Sequence, residues 1–200
     1  MAGGNVNIQK RMVYPDYIKT RVGSLFHNEF VADAVAIATE ANFRCGSFVR
    51  FSLSIDDGTV TDAGFSSNGC GFMLAAADLL ADYVSRKNVT ELHGLAVNDL
   101  IGHVDVMLGN FPLERRDCVT ACVEAVRSAF ANFRKDLIEE FRGEKALICT
   151  CFGVTEETIE TVIVENSLIA VDQVTEICNA GGGCGSCRML IQEMLDSSLT

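Results

Sequence analysis

The chain has 200 residues, 48% of them apolar and 22% charged, and its 16 Lys and Arg against 27 Asp and Glu leave a formal net charge of −11. That length and apolar content suit one large domain or two small ones with real cores, and they exclude a mainly disordered chain. So acidic a chain does not bind nucleic acid or an anionic membrane through its bulk field; nor does any apolar run approach the ~20 residues of a membrane span, since the nearest, Phe72 to Leu80, is broken by Asp78 and followed by Asp82.

From the start of the chain, Met1-Ala2-Gly3-Gly4-Asn5 leads into no apolar h-region, so no secretory signal is read. Nine cysteines without such a signal point to the reducing cytoplasm, where clustered cysteines mean metal or redox chemistry more often than disulfides. A strand is expected around Ala34–Thr39. Val49, Phe51, Leu53 and Ile55 alternate with Arg50, Ser52 and Ser54, the pattern of a half-buried strand. Asp57-Gly58 is a hairpin turn, and Val60, Ala63 and Phe65 lie on the return strand. Pairing across that turn joins residues whose numbers sum to about 115, which brings Cys45 and Cys70 to the same open end of the hairpin.

Gly69-Cys70-Gly71 leads into a helical stretch over 72–86, which places Cys70 at a helix N-terminus that lowers a thiol pKa. His103, in Ile101-Gly102-His103-Val104, reads as a structural histidine, and Arg115-Arg116 as a solvated face. The longest helical pattern runs from Glu114 to Phe141, with Val119, Val123, Val126, Phe130, Phe133 and Leu137 on one stripe and Cys118 at its start. Cys122 follows four residues later on the same face, where a core role is favoured over that of a substitute ligand. Near Phe141–Lys145 the composition changes. Residues 1–143 hold 14 Lys/Arg against 18 Asp/Glu, whereas 144–200 hold 2 against 9. The boundary is therefore set there, with an α+β unit over 1–143, built on a small antiparallel sheet and helices, and a small all-α unit over 144–200.

In the second unit Thr155 is a natural N-cap, with Glu156 and Glu157 in the first turn. Ile159, Val162 and Ile163 continue that helix. A second carries Val171, Val174 and Ile177 and stops at Gly181-Gly182-Gly183, and a third places Leu190, Ile191, Met194 and Leu195 on one face. So little core favours a metal. The ligand pattern is Cys149-Thr150-Cys151, 32 residues, then Cys184-Gly185-Ser186-Cys187, a four-thiolate set that suits tetrahedral zinc or an iron–sulfur cluster. A Cys-x-Cys pair, unlike a zinc knuckle, favours iron–sulfur, as do the glycine run that lets backbone N–H groups approach sulfide and Cys187 in the first turn of the third helix. Cys178 lies outside the pattern and reads as a small core residue.

Cys149-Thr150-Cys151-Phe152 with Ala180-Gly181-Gly182-Gly183-Cys184-Gly185-Ser186-Cys187 resembles the [2Fe–2S] domain of NifU-type scaffold proteins, shared with bacterioferritin-associated ferredoxins, over 147–197. The resemblance implies that Cys149, Cys151, Cys184 and Cys187 hold a permanent [2Fe–2S] cluster. In the first unit, Cys45, Cys70 and Cys118 in loops or first turns make a site with one coordination position open, as an exchangeable metal site needs. On spacing alone the plainer reading, three core cysteines, stands beside it. Cys45-Gly46 before a strand, Gly69-Cys70 before a helix and Pro112 six residues before Cys118 resemble the U-type (IscU/NifU) scaffold domain over about 14–140, and the order of the two units is that of NifU-type proteins without their third domain. That resemblance implies a non-enzymatic scaffold that builds a transient iron–sulfur cluster, or binds iron, on Cys45, Cys70 and Cys118. Its partners would be a cysteine desulfurase, apo iron–sulfur proteins and, in a homodimer, a second copy.

Four departures from the family stand out. Ser47 replaces the Asp linked to cluster release, and Asp117 the His before the third cysteine. Phe111-Pro112-Leu113 stands for its Leu-Pro-Pro segment, and Ala75-Ala76-Ala77 for its small polar run. The other reading is a ferredoxin-like electron carrier, whose acidic second unit would steer it to basic redox partners. An enzyme finds little support, since none of His27, His93 and His103 neighbours a cysteine in sequence as a base for a nucleophile.

Overall fold

A computed structural model describes residues 14–109, 111–139 and 146–198. The boundary placed at Phe141–Lys145 lies outside the described residues. On either side of it stand two separate hydrophobic cores, one contributed by residues 18–129 and one by 149–195.

The first core is built on a three-stranded antiparallel meander of β1 (Ala36–Asn42), β2 (Ser47–Asp56) and β3 (Thr59–Ser67), in that order across the sheet. Helix α1 (Asp16–Val22) precedes it. Asp57 and Gly58, both at positive φ, make the β2–β3 turn. Ile55 pairs with Val60 as expected, and a bulge at Ser54/Ile55 then shifts the register by one, so that Val49 faces Ser67. The shift leaves the open end where the numbering put it.

Val49, Phe51 and Leu53 enter the core, but so does Ser52, against the alternation of the sequence. The outer face of the sheet is covered locally by residues 27–35. The Phe65 amide donates to the His27 carbonyl at 2.8 Å, and the Val31 amide to the Ser52 hydroxyl at 3.0 Å. Gly64 is required there, because a side chain would strike the Glu29 carbonyl. The buried hydroxyl thus replaces water as the partner of an amide.

Helix α2 (Gly71–Val84) lies against β3 and against the long α5 (Arg116–Glu139), which in turn crosses β1 and β2. Ala75, Ala76 and Ala77 are all fully buried, and their small side chains allow close helix packing. Between α2 and α5 come the single turn α3 (Val89–Leu92), α4 (Val97–Leu108) and a 3-10 turn, Leu113–Arg115. His103 stacks on Tyr83 with ring centroids 4.4 Å apart, the structural role expected of it.

The second unit is mostly helical rather than all-α. It opens with a two-stranded antiparallel ladder, β4 (Leu147–Cys149) and β5 (Val154–Thr155), followed by α6 (Glu156–Asn166), α7 (Val171–Cys178) and α8 (Arg188–Ser198). Thr155 caps α6 by accepting from the Thr158 amide at 3.3 Å. Helix α7 ends on Asn179 at φ 62, two residues before the glycine run. Ile159, Ile163, Val174, Ile191 and Leu195 form the core, while Ile177 and Leu190, expected on the inner faces, are exposed. Among the described residues no helix is long and apolar enough to cross a membrane.

Candidate metal centres

Cys45, Cys70 and Cys118 all lie at the open end of the sheet, and the last two are in contact. Cys45 sits in the tight β1–β2 turn, where the Gly46 amide donates to the Asn42 carbonyl at 2.8 Å and Gly46 takes φ +69. Cys70 is the N-cap of α2, and Cys118 lies in the first turn of α5. The Cys70 and Cys118 sulfurs are 4.0 Å apart, and Asn42 Nδ2 is 4.0 Å from Cys118 Sγ. Exposure runs in a gradient from Cys45, open to solvent, through Cys70 to Cys118, only 4% exposed.

The electrostatics divide the sulfurs by role. A hydrogen bond from Cys118 is the main cause that lowers the Cys70 thiol to about 5; the Met73 and Phe72 amides and the Arg115 charge add to it against the cost of burial. Cys118 is pushed up by the same bond, by burial and by its sulfur neighbours. The proton of the pair is therefore held on the Cys118 side, which favours the anion at Cys70. Iodoacetamide at pH 7 should therefore label Cys70 far faster than Cys122. Cys118→Ala removes the donor that stabilises the anion, so the pH midpoint of Cys70 labelling should rise. Peptide mapping after timed alkylation across a pH series measures both; an unmoved midpoint would show that Cys118 is not the donor.

The partners of four residues around this site were not fully legible in the sequence. Ser47 Oγ lies 2.9 Å from Cys45 Sγ. Asp117 is not a free carboxylate, because Arg44 from the β1–β2 turn pairs with it at 2.6 Å. Arg115 and Arg116, read as a solvated face, are engaged: Arg115 lies over Phe72 at 5.7 Å, and Arg116 pairs with Asp105 at 2.7 Å. Cys122 is fully buried, with its thiol 3.6 Å from the Met73 carbonyl, and burial raises its pKa strongly. It is a core residue, as favoured.

In the second unit, Cys149, Cys151, Cys184 and Cys187 line one cleft of about 30 Å³ with Ile148, Gly183 and Ser186. Cys149 ends β4 and Cys151 lies in the turn after it. Cys187 stands immediately before α8 rather than in its first turn, and its carbonyl accepts from the Ile191 amide at 3.0 Å. The Ser186 hydroxyl lies 3.2 Å from Cys184 Sγ, and is the first cause lowering that exposed thiol to about 7, ahead of the Ser186 amide and Cys151. Burial, followed by the proximity of Cys149, lifts Cys187 to about 11. Burial also raises Cys151. Cys178 points elsewhere: its thiol is 3.2 Å from the Val174 carbonyl inside α7.

Four thiols in two short turns, in a lining free of Lys, Arg and carboxylate, make a donor set that suits a soft four-thiolate metal group. Among the described residues no three Cys, His, Asp or Glu side chains stand ready at the spacing of a closed metal site.

The glycine run has a further neighbour. A side-chain carbon on Gly183 would meet Cys151 Sγ at 2.9 Å and His93 Nε2 at 3.1 Å. His93, at the end of α3 in the other unit, has no sequence signal that links it to Cys151. Burial, followed by the Arg134 charge, holds it below its ordinary value.

Residues 19–139 match the family described as the NifU-like N terminal domain, and residues 147–197 the BFD-like [2Fe-2S] binding domain. The chain is similar to the nitrogen fixation protein NifU of Azospirillum brasilense, 29% identical over 93% of this chain and 60% of that protein. To NifU of Azotobacter chroococcum mcd 1 it is 30% identical over 90% of this chain and 59% of that one. It is also 23% identical to the iron-sulfur cluster assembly scaffold protein IscU of Escherichia coli (strain K12), over 56% of this chain and 83% of IscU. The chain thus spans about 60% of the length of the two NifU relatives.

Proposed function

The chain belongs to the family of the NifU-like N-terminal domain, and from that premise we propose that it is an iron–sulfur cluster assembly scaffold rather than an enzyme. A transient cluster is built on Cys45, Cys70 and Cys118 and handed to apo-proteins. Sulfur comes from a cysteine desulfurase, and the work is done in the cytoplasm, with a homodimer as the assembled form. The observation that carries the reading is the Cys70–Cys118 sulfur pair, 4.0 Å apart at the open end of the sheet, with Cys45 exposed in the neighbouring β1–β2 turn.

Iron arriving at Cys70 meets a ligand that needs no deprotonation, and binding at Cys118 displaces the proton the pair shares. Cys45, the exposed member, closes the site last and opens it first. Asn42 and the Arg44–Asp117 pair hold the β1–β2 turn against the start of α5, so that the three sulfurs stay in register. In the second unit, Cys149, Cys151, Cys184 and Cys187 would hold a permanent [2Fe–2S] cluster, which supplies one-electron chemistry.

The test is iron and acid-labile sulfide per chain, before and after reconstitution with a desulfurase, iron and cysteine. A scaffold gains a second, chelator-labile class that moves to an apo-ferredoxin. A chain that never exceeds the iron of one four-thiolate site is an electron carrier.

The Ser47 position gives a finer check. A carboxylate beside a cluster competes for iron and admits water, whereas the hydroxyl at Ser47 bears no charge. Asp117 cannot stand in for it while Arg44 holds it. Ser47→Asp should therefore speed transfer to an apo-acceptor severalfold and leave the second-unit absorption untouched, with Asp117→Ala the weaker change. If Asp117→Ala instead abolishes transfer while Ser47→Asp does nothing, release is governed from Asp117.

A further inference from the structure

The two units meet through glycines. A side chain on Gly182 would strike Thr90 Cγ2 of α3 at 2.9 Å, and one on Gly58 would meet Asn179 Nδ2 of the second unit at 2.5 Å. Gly153 lies against Leu137 of α5, its missing side-chain carbon 3.0 Å from Leu137 Cβ. Phe152, next to Cys151, packs on the His93 ring with centroids 5.6 Å apart. The glycine run expected to free backbone for a cluster therefore has a second physical use, since it lets α3 of the first unit approach the cysteine cleft. In that seam His93 Nε2 and Cys151 Sγ both border the space a Gly183 side chain would take, 3.1 and 2.9 Å from its first carbon.

We propose that His93, contributed by the first unit, is a positioning residue of the second-unit cluster: across the space left by Gly183 its ring N–H can reach the Cys151 sulfur of the loaded site, so that docking of the two units sets the cluster's reduction potential. This rests on Cys149, Cys151, Cys184 and Cys187 holding a [2Fe–2S] cluster. A hydrogen bond to a ligand sulfur stabilises the reduced cluster, which carries one more negative charge, more than the oxidised one. Its presence therefore raises the potential. The same ring lies beside the Cys151 end of the cleft, while Cys184 remains open to solvent.

The experiment uses the full chain as purified, with iron per chain counted and the midpoint potential taken from a redox titration followed by electron paramagnetic resonance. His93→Phe keeps the ring contact with Phe152 and removes the donor; its midpoint should fall below wild type at equal iron content. His93→Gln retains an N–H and should lie between the two. Gly182→Val keeps His93 and all four ligands but pushes α3 away, so it should lower the midpoint too, and it decides the matter should His93→Phe fold poorly. Midpoints of His93→Phe and Gly182→Val that coincide with wild type, at full loading, would overturn the proposal. A wild-type chain with no iron on the four cysteines would instead sink the assignment of the cluster itself.

Discussion

Cys149→Ala should bleach the thiolate-to-iron absorption of the purified protein and unfold residues 147–197 while leaving the first unit folded. The second core contains few large side chains, with Ile159, Ile163, Ile191 and Leu195 the main ones, and so small a unit draws much of its folding free energy from bound metal. Cys149 and Cys187 are also part of that core, at 2% and 5% exposure, whereas Cys184 is open to solvent. Replacing any one of Cys149, Cys151, Cys184 or Cys187 should remove the colour. Only Cys149→Ala and Cys187→Ala should also loosen the metal-free unit, because they empty packed space. Cys178→Ala should do neither, since its thiol faces the α7 backbone. Visible absorption and hydrogen exchange over 147–197 separate the two effects. If Cys178→Ala bleached the protein and Cys149→Ala did not, the ligand set would be wrong.

The residues that were legible share one property: their partners are set by local periodicity. The β2–β3 turn fixed the end of the sheet at which Cys45 and Cys70 meet, and a one-residue bulge did not move it. Thr155 announced the start of α6 because caps act within a single turn. What stayed hidden depends on chain segments far apart. Ser52 reads as an outward residue until residues 27–35 cross over it, a segment with no period to reveal it. Cys118 and Cys122, four residues apart on one helix face, are indistinguishable by spacing; the Met73 carbonyl over Cys122 and the open edge at Cys118 part them. His93 comes near Cys151 only across a seam that glycines such as Gly182 and Gly183 keep free of side chains.

Asp78 belongs to this hidden class, and its replacement should be the most damaging single change in the first unit. In the sequence it only interrupts the apolar run of α2. In the structure its side chain is fully buried and ties three pieces together. Oδ1 accepts from the Phe26 and His27 amides at 2.8 and 2.9 Å, and Oδ2 pairs with Arg21 Nε of α1 at 2.5 Å. The covering segment, α1 and α2 are thus fastened at one carboxylate. Removing one member of a buried ion pair costs about 3–5 kcal/mol, because the other charge stays buried. Each stranded amide adds about 1–3 kcal/mol unless water reaches it. Against a typical domain stability of about 5–15 kcal/mol, Asp78→Ala should leave the first unit marginal, with its melting temperature lowered by at least about 10 °C. Asp78→Asn keeps an oxygen for the two amides but strands Arg21, so it should fall between Ala and wild type. Asp82→Ala, whose carboxylate is largely exposed and 3.7 Å from His27, should shift stability by no more than about 0.5 kcal/mol. Urea unfolding of the full chain, followed by circular dichroism for the first unit and visible absorption for the second, resolves the three variants. An Asp78→Ala protein that melts with Asp82→Ala would show that the covering segment is held by its apolar contacts and not by the carboxylate.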